Sequence, residues 1–256
     1  MLFYEPIYLL IFLPITIFFF YFSKKIKINF KYLLICLSLF FYSWWNIYYL
    51  PLILITILLS FYIANLIKNK KNKSLYLFLG ISFVLTFLLI FKYSDFIVSN
   101  LNILFNLEIP LLNFGFPLAI SFYSFQIIAF LINVYDHEIK EINFIDYFLF
   151  IIFFPQLVAG PIMKYLDLVP QFNRSNLLFF NRNYFLVGLI LIIIGLIKKI
   201  IFANYLGQFV DSGYNNLPDL NILHCWLISF SFTFQFYFDF TGYVDMAMGS
   251  ALLLNI

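Results

Sequence analysis

Apolar residues fill this chain in runs of around twenty, separated by short polar clusters. Such runs cover 2–22, 47–67, 75–91, 114–134, 184–203 and 222–238. A helix rises 1.5 Å per residue, so about twenty apolar residues span the roughly 30 Å of a bilayer core. A shorter run, 32–45, passes almost directly into 47–67, with Asn46 and Pro51 supplying a reversal. Run 144–163 is interrupted by Pro155, Gly160 and Pro161, which suits a re-entrant or discontinuous segment tucked against protein. In hydrocarbon every backbone polar group must pair within the chain, leaving helices or closed barrels, and a barrel would show alternating segments of about ten residues. The pattern therefore predicts an all-α, polytopic transmembrane helical bundle of about seven spans plus one or two short helices.

Composition supports this reading. Hydrophobic residues make up 64% of the chain and charged residues 11%, against roughly 25% charged in a soluble domain. The charges are arranged for topology. Lys24, Lys25, Lys27 and Lys31 form one cluster and Lys68, Lys70, Lys71 and Lys73 another, with two spans between them. Basic residues in short loops mark the cytoplasm. The chain is thus expected in a bacterial cytoplasmic membrane with its N-terminus outside. Residues 164–182, bearing Lys164, Arg174 and Arg182, fall inside; 92–113 falls outside, partly along the interface, and so does a 204–221 loop carrying Asp211 and Asp219. A net charge of +3 spent in this way gives no reason to propose a nucleic-acid partner. Cys36 and Cys225 form no CxxC, zinc or disulfide pattern and read as small buried hydrophobes. Thirteen lysines against two arginines fit AT-rich codons. No repeat or linker divides residues 1–256, so one membrane-embedded domain is the economical reading. Its last eleven residues, 246–256, cover only about half a bilayer core, as though the sequence stopped partway through an element.

A few polar residues interrupt the apolar background. Asp239 and Asp245 flank Thr241 and Gly242, with Gln235 nearby. An acid at mid-membrane costs roughly 2.5–3.5 kcal/mol and should face protein or a water-filled cavity. These groups line a polar tunnel or substrate site, pair with lysine or backbone in a packing network, or cap a helix start after Gly242. Lys198 and Lys199 follow the run 185–197; they pair an intramembrane acid, hold an anionic group, or snorkel to the headgroups. His137 and His224 fall at opposite predicted faces and cannot form one site. No nucleophile elbow, phosphate loop or HExxH signature is present. Acids, lysines and a broken helix also occur in transporters, although no inverted repeat is visible.

Several stretches carry a resemblance. Phe41-Tyr-Ser-Trp-Trp-Asn46 looks like an aromatic early motif. Phe116-Pro-Leu-Ala-Ile-Ser-Phe-Tyr-Ser-Phe-Gln126, running on to Asn133-Val-Tyr135, resembles "PLGISFFTFQ … DVYR". Phe153-Phe-Pro-Gln-Leu-Val-Ala-Gly-Pro161 resembles "FFPQLIAGPI", Gly195-Leu-Ile-Lys-Lys199 resembles "GLxKK", and the stretch from Gln235 to Gly249 resembles "QIYFDFSGYSDMAIG". In order and spacing these are similar to the membrane-bound O-acyltransferase (MBOAT) family, and within it to bacterial alginate and peptidoglycan O-acetyltransferases. Ala119 stands where the family usually has glycine, and His137 where it often has arginine.

The resemblance implies transfer of an acyl group from a cytoplasmic donor, acetyl-CoA or similar, to an extracytoplasmic glycan or a partner acetyltransferase, with no bound cofactor and no metal. The family's catalytic histidine lies downstream of "FDFSGY", beyond Ile256, so neither histidine here matches it and this chain alone is expected to be inactive. Gln126, Pro155, Gln156, Gly160, Pro161, Lys198, Lys199, Gln235, Asp239 and Asp245 would line the tunnel that joins donor to acceptor. The rival readings are a membrane transporter and a non-catalytic scaffold for a partner acetyltransferase.

Overall fold

A computed structural model describes residues 1–158, 160–161, 163–216 and 221–256. Every regular element among them is helical. Helix α1 spans Tyr8–Ser23 and opens with a wide π turn at Tyr8–Phe12. It is followed by α2 Phe30–Trp45, α3 Leu50–Asn69, α4 Lys73–Phe105 and α5 Ile120–Tyr135. The short α6 Phe144–Ile152, α7 Phe154–Leu157 and α8 Tyr165–Phe172 come next. Two long helices, α9 Arg182–Asn215 and α10 Ile222–Leu252, complete the order. Asparagine starts several of them. Asn143 caps α6, Asn181 caps α9 and Asn221 caps α10, each side chain accepting from backbone N–H groups of the first turn. Such caps satisfy donors that have no partner inside the helix.

Ile47–Asn69, Lys73–Phe105 and Arg182–Asn215 are long and apolar enough to cross a membrane, and Tyr8–Ser23, Phe30–Trp45 and Ile120–Tyr135 are shorter apolar helices. Large apolar side chains cover their outer faces: Leu10 is 75% exposed, Phe78 67% and Ile190 55%. Cys36 and Cys225 are free and exposed on such faces, not buried as their apolar setting suggested. The molecule is a membrane helical bundle.

The helix boundaries differ from the hydrophobic runs in four places. Helix α4 continues to Phe105 through residues expected to form a connection; the chain then folds back, and the Asp95 carboxylate accepts from the N–H groups of Leu112 and Asn113. Helix α5 starts at Ile120, not at 114, because Ala119 is left-handed at φ 58° and cannot continue a right-handed helix. Residues 204–215 are not a loop but the last turns of α9. Of the two acids placed in that loop, Asp211 is therefore helical, and Asp219 lies outside the described residues. Finally, Gly242 starts no helix: α10 runs unbroken through both acids. Polar composition marked 204–215 and 239–245 as interruptions. Packing against a partner helix overrides that local signal.

The chain forms two compact units. One comprises Met1–Phe30, Ala159–Pro161 and Arg174–Ile256. Its centre is the pair α9 and α10, which run antiparallel: Gly188 meets Gly249, Gly195 meets Gly242, and Gly213 meets Ile228. At the first two crossings a Cβ would stand 2.6–2.9 Å from the facing glycine's carbonyl oxygen, so only glycine allows the approach. Helix α1 joins this pair through Tyr8, whose hydroxyl donates to Ser250 Oγ at 2.8 Å.

The other unit comprises Lys31–Val158 and Ile162–Asn173. Helices α3, α4 and α5 pack together there, and α6 joins α3 through a buried hydroxyl pair, Ser60 and Tyr147, at 2.6 Å. A small polar network fixes one end. The Lys31 ammonium meets Asp146 Oδ1 at 2.5 Å and Asn173 Oδ1 at 2.6 Å. Tyr165 lies beside it, and burial, followed by the Asp146 charge, pushes its hydroxyl up to about 12.

Candidate functional site

Lys198 and Lys199 sit near the middle of α9, sixteen or seventeen residues from its start, about 24 Å along the axis. The sequence placed them near the outer end of a shorter span. They do not snorkel outward but turn onto α10. Lys198 Nζ lies 2.6 Å from Asp245 Oδ2, and Lys199 Nζ lies 2.5 Å from Asp239 Oδ1. The first contact is an aligned hydrogen bond; the second is an ion pair without that alignment. Two local features bring the groups together. Gly195 and Gly242 let the backbones close up, and Gly242 leaves room for the Lys198 stem. The segment Ile197–Ala203 is also a π turn, whose i→i+5 bonding packs more residues into each turn and narrows the angle between neighbouring side chains. Consecutive lysines can then both face one partner helix. Nothing in the sequence announced the π turn.

Beside the second pair opens a cleft of about 330 Å³, lined by the polar residues Lys199, Asn204, Gln208, Asp211, Gln235 and Asp239 together with Ala203 and Gly207. The Gln235 carboxamide oxygen is buried there with no hydrogen-bond partner. Asp245 is 13% exposed and Asp239 42%, so one acid is enclosed between the helices and the other opens onto the cleft. The sequence reading named Gln235, Asp239 and the lysines but missed Asn204, Gln208 and Asp211, because it ended the helix at residue 203. Gly160 and Pro161 belong to the same compact unit.

Gln126, Pro155 and Gln156 belong to the other unit. The chain breaks between α6 and α7, Pro155 falling in the first turn of α7. The carboxamide of Gln156 has no hydrogen-bond partner at either atom, and Gln126 leaves its oxygen unpaired. The buried hydroxyls of Tyr42 and Tyr123 likewise lack partners, and Tyr123 is one turn from Gln126 on α5. Burying such groups unpaired costs about 1–3 kcal/mol each. Retaining several in one unit points to water or a ligand that completes them. The two tyrosines are further residues the sequence reading passed over.

The histidines stand apart from both sets. His137 follows α5 in a left-handed turn, its Nε2 3.0 Å from Lys73 Nζ. His224 is exposed in the first turn of α10, eleven residues before Gln235.

Residues 39–256, the span that contains all the groups just described, match the model of the membrane-bound O-acyltransferase family. The chain belongs to the MBOAT family. It is 34% identical over its whole length to a peptidoglycan O-acetyltransferase of Helicobacter pylori, of which it covers 54%. It is 34% identical, again over its whole length, to a probable alginate O-acetylase AlgI of Pseudomonas putida, of which it covers 53%. A teichoic acid D-alanyltransferase of Streptococcus thermophilus is 27% identical over 57% of this chain. The chain spans about half the length of the curated O-acetyltransferases it matches. As a member of an acyltransferase family with apolar helices, it is a multi-pass membrane protein.

Proposed function

We propose that this chain supplies the scaffold and part of the polar passage of an O-acetyltransferase that moves an acetyl group from a cytoplasmic donor, acetyl-CoA or a similar thioester, to an extracytoplasmic cell-wall glycan or a partner acetyltransferase. The observation that carries this reading is the pair of ion pairs, Lys198–Asp245 and Lys199–Asp239, held between α9 and α10 beside a polar cleft. Charges between membrane helices persist where they face a passage or one another. In this structure they do the second and border a space suited to the first.

Acyl transfer of this kind needs a base close to neutral pKa, which is the chemistry of histidine. His137 is engaged by Lys73 and His224 sits at the end of α10 remote from the paired lysines. The base is therefore proposed to come from residues other than these 256. The paired lysines and acids would hold the helices in register and keep water and a polar acceptor in the cleft, and Gln126 and Gln156 would do the same in the other unit.

The test is the amount of ester-linked acetate that the full-length enzyme incorporates into glycan, with and without Lys199→Met. A tenfold or greater loss at unchanged protein abundance is expected. Activity within twofold of the parent would remove these residues from the passage. The purified 256-residue chain is expected to show no turnover above background, and turnover there would place the base within it.

A further inference from the structure

Only two of the fifteen basic residues are arginines, Arg174 and Arg182, and both line one cleft of about 610 Å³. In a chain that otherwise uses lysine for every cation, their joint placement is a chemical choice. A guanidinium presents a rigid fork of N–H donors that matches phosphate oxygens two at a time, which an ammonium cannot do. Among the described residues no carboxylate pairs with either guanidinium, and the cleft lining contains no acid. Asn176 and Asn183 add amide donors beside them.

The walls of this cleft are built. The Asn255 amide donates to the carbonyls of Leu177 and Phe179 at 2.8 and 2.6 Å, fixing the loop that carries Arg174 against the end of α10. Lys24 places its ammonium 3.1 Å from the centroid of the Phe179 ring, adding a third cation at the edge. Phe179 and Phe180, 58% and 60% exposed, leave an apolar rim next to the arginines. All of this lies within one compact unit.

We propose that this cleft binds a phosphate-bearing ligand, a phosphodiester or pyrophosphate held between Arg174 and Arg182 with its apolar portion against the phenylalanine rim. The site is separate from the Lys198–Asp245 region, and the proposal does not depend on the acyl-transfer reading. One chemistry here has two sources, an anionic phospholipid headgroup or a soluble nucleotide.

The experiment has two arms on the full 256-residue chain. In phosphatidylcholine nanodiscs doped with phosphatidylglycerol, native mass spectrometry counts retained phosphatidylglycerol; in undoped nanodiscs, thermophoresis titrates ADP. Saturable binding is expected in at least one arm, and the arm that responds identifies the source. The double variant R174Q/R182Q should lose tenfold or more in that arm. R174K/R182K, which keeps the charge and removes the forks, should lose at least threefold. Removing two cations elsewhere, K68Q/K70Q, should leave binding within twofold. No saturable binding in either arm, equal binding by the glutamine variant, or equal loss in K68Q/K70Q would overturn the proposal. Should R174Q/R182Q not elute as a folded species, R174K/R182K decides, and binding equal to the parent by that variant would overturn it.

Discussion

A charge buried between apolar helices is tolerated because of its partner, and the two pairs here differ in how much they depend on it. Asp245 is 13% exposed and Asp239 42%, so the Lys198–Asp245 pair is the less screened. Breaking a buried pair from one side typically costs about 3–5 kcal/mol, whereas replacing both partners by apolar residues is often close to neutral. Lys198→Met should therefore lower the thermal midpoint in detergent more than Lys199→Met does, and K198M/D245L should recover most of the loss. A double variant no better than the single would mean that the pair does not set stability. A second residue, Ala119, occupies a left-handed position at φ 58°, where a Cβ costs about 1–2 kcal/mol. Ala119→Gly should raise the midpoint, reflecting a stabilisation of up to about 1 kcal/mol once glycine's extra unfolded-state freedom is subtracted. An unchanged or lower midpoint would show that the turn before α5 relaxes around alanine. At this scale the sequence was informative: Ala119 stood out against the family's glycine, and lysine–acid pairing was one of the alternatives already open. Which lysine met which acid was not readable, since that depends on the π turn at Ile197–Ala203.

Among the elements, α9 and α10 carry the candidate site, and their glycines decide how closely they meet. A methyl group on Gly195 would stand 2.6 Å from the Gly242 carbonyl oxygen, a backbone atom that cannot move aside. On Gly207 it would meet the end of the Gln235 side chain at 2.9 Å, which can rotate away. Gly195→Ala should thus destabilise by about 1–3 kcal/mol, the usual cost of overpacking, while Gly207→Ala should be near neutral. Thermal unfolding of the two variants, measured side by side, checks the contrast; equal midpoints would mean that the helices do not rely on this contact. Apolar periodicity predicted both helices but shortened each at its polar part. Asn204, Gln208 and Asp211 read as loop residues because hydropathy scores what lipid would accept. It does not register that a facing helix can satisfy them. For the same reason the cleft they line was invisible, although Gln235 and Asp239 on its other wall were singled out.

For the whole molecule, the lysine clusters propose an orientation that the helix lengths make testable. Helix α4 has 33 residues, about 50 Å, which exceeds a hydrocarbon core of roughly 30 Å. If it spans, Lys70 and Asn106 at its two ends face different compartments. By the positive-inside rule the clusters at 24–31 and 68–73 predict Lys70 inside, and with it Asn106 and the N-terminus outside. Cys36 and Cys225 are both free and exposed, so the measurement needs a C36S/C225S background. There, a cysteine replacing Asn106 should react with a membrane-impermeant maleimide in intact cells, and one replacing Lys70 only after the membrane is permeabilised. The reverse pattern would invert the orientation, and with it the proposed direction of acyl transfer. Reaction of both in intact cells would mean that α4 does not span, and the bundle would have to be built around the remaining apolar helices.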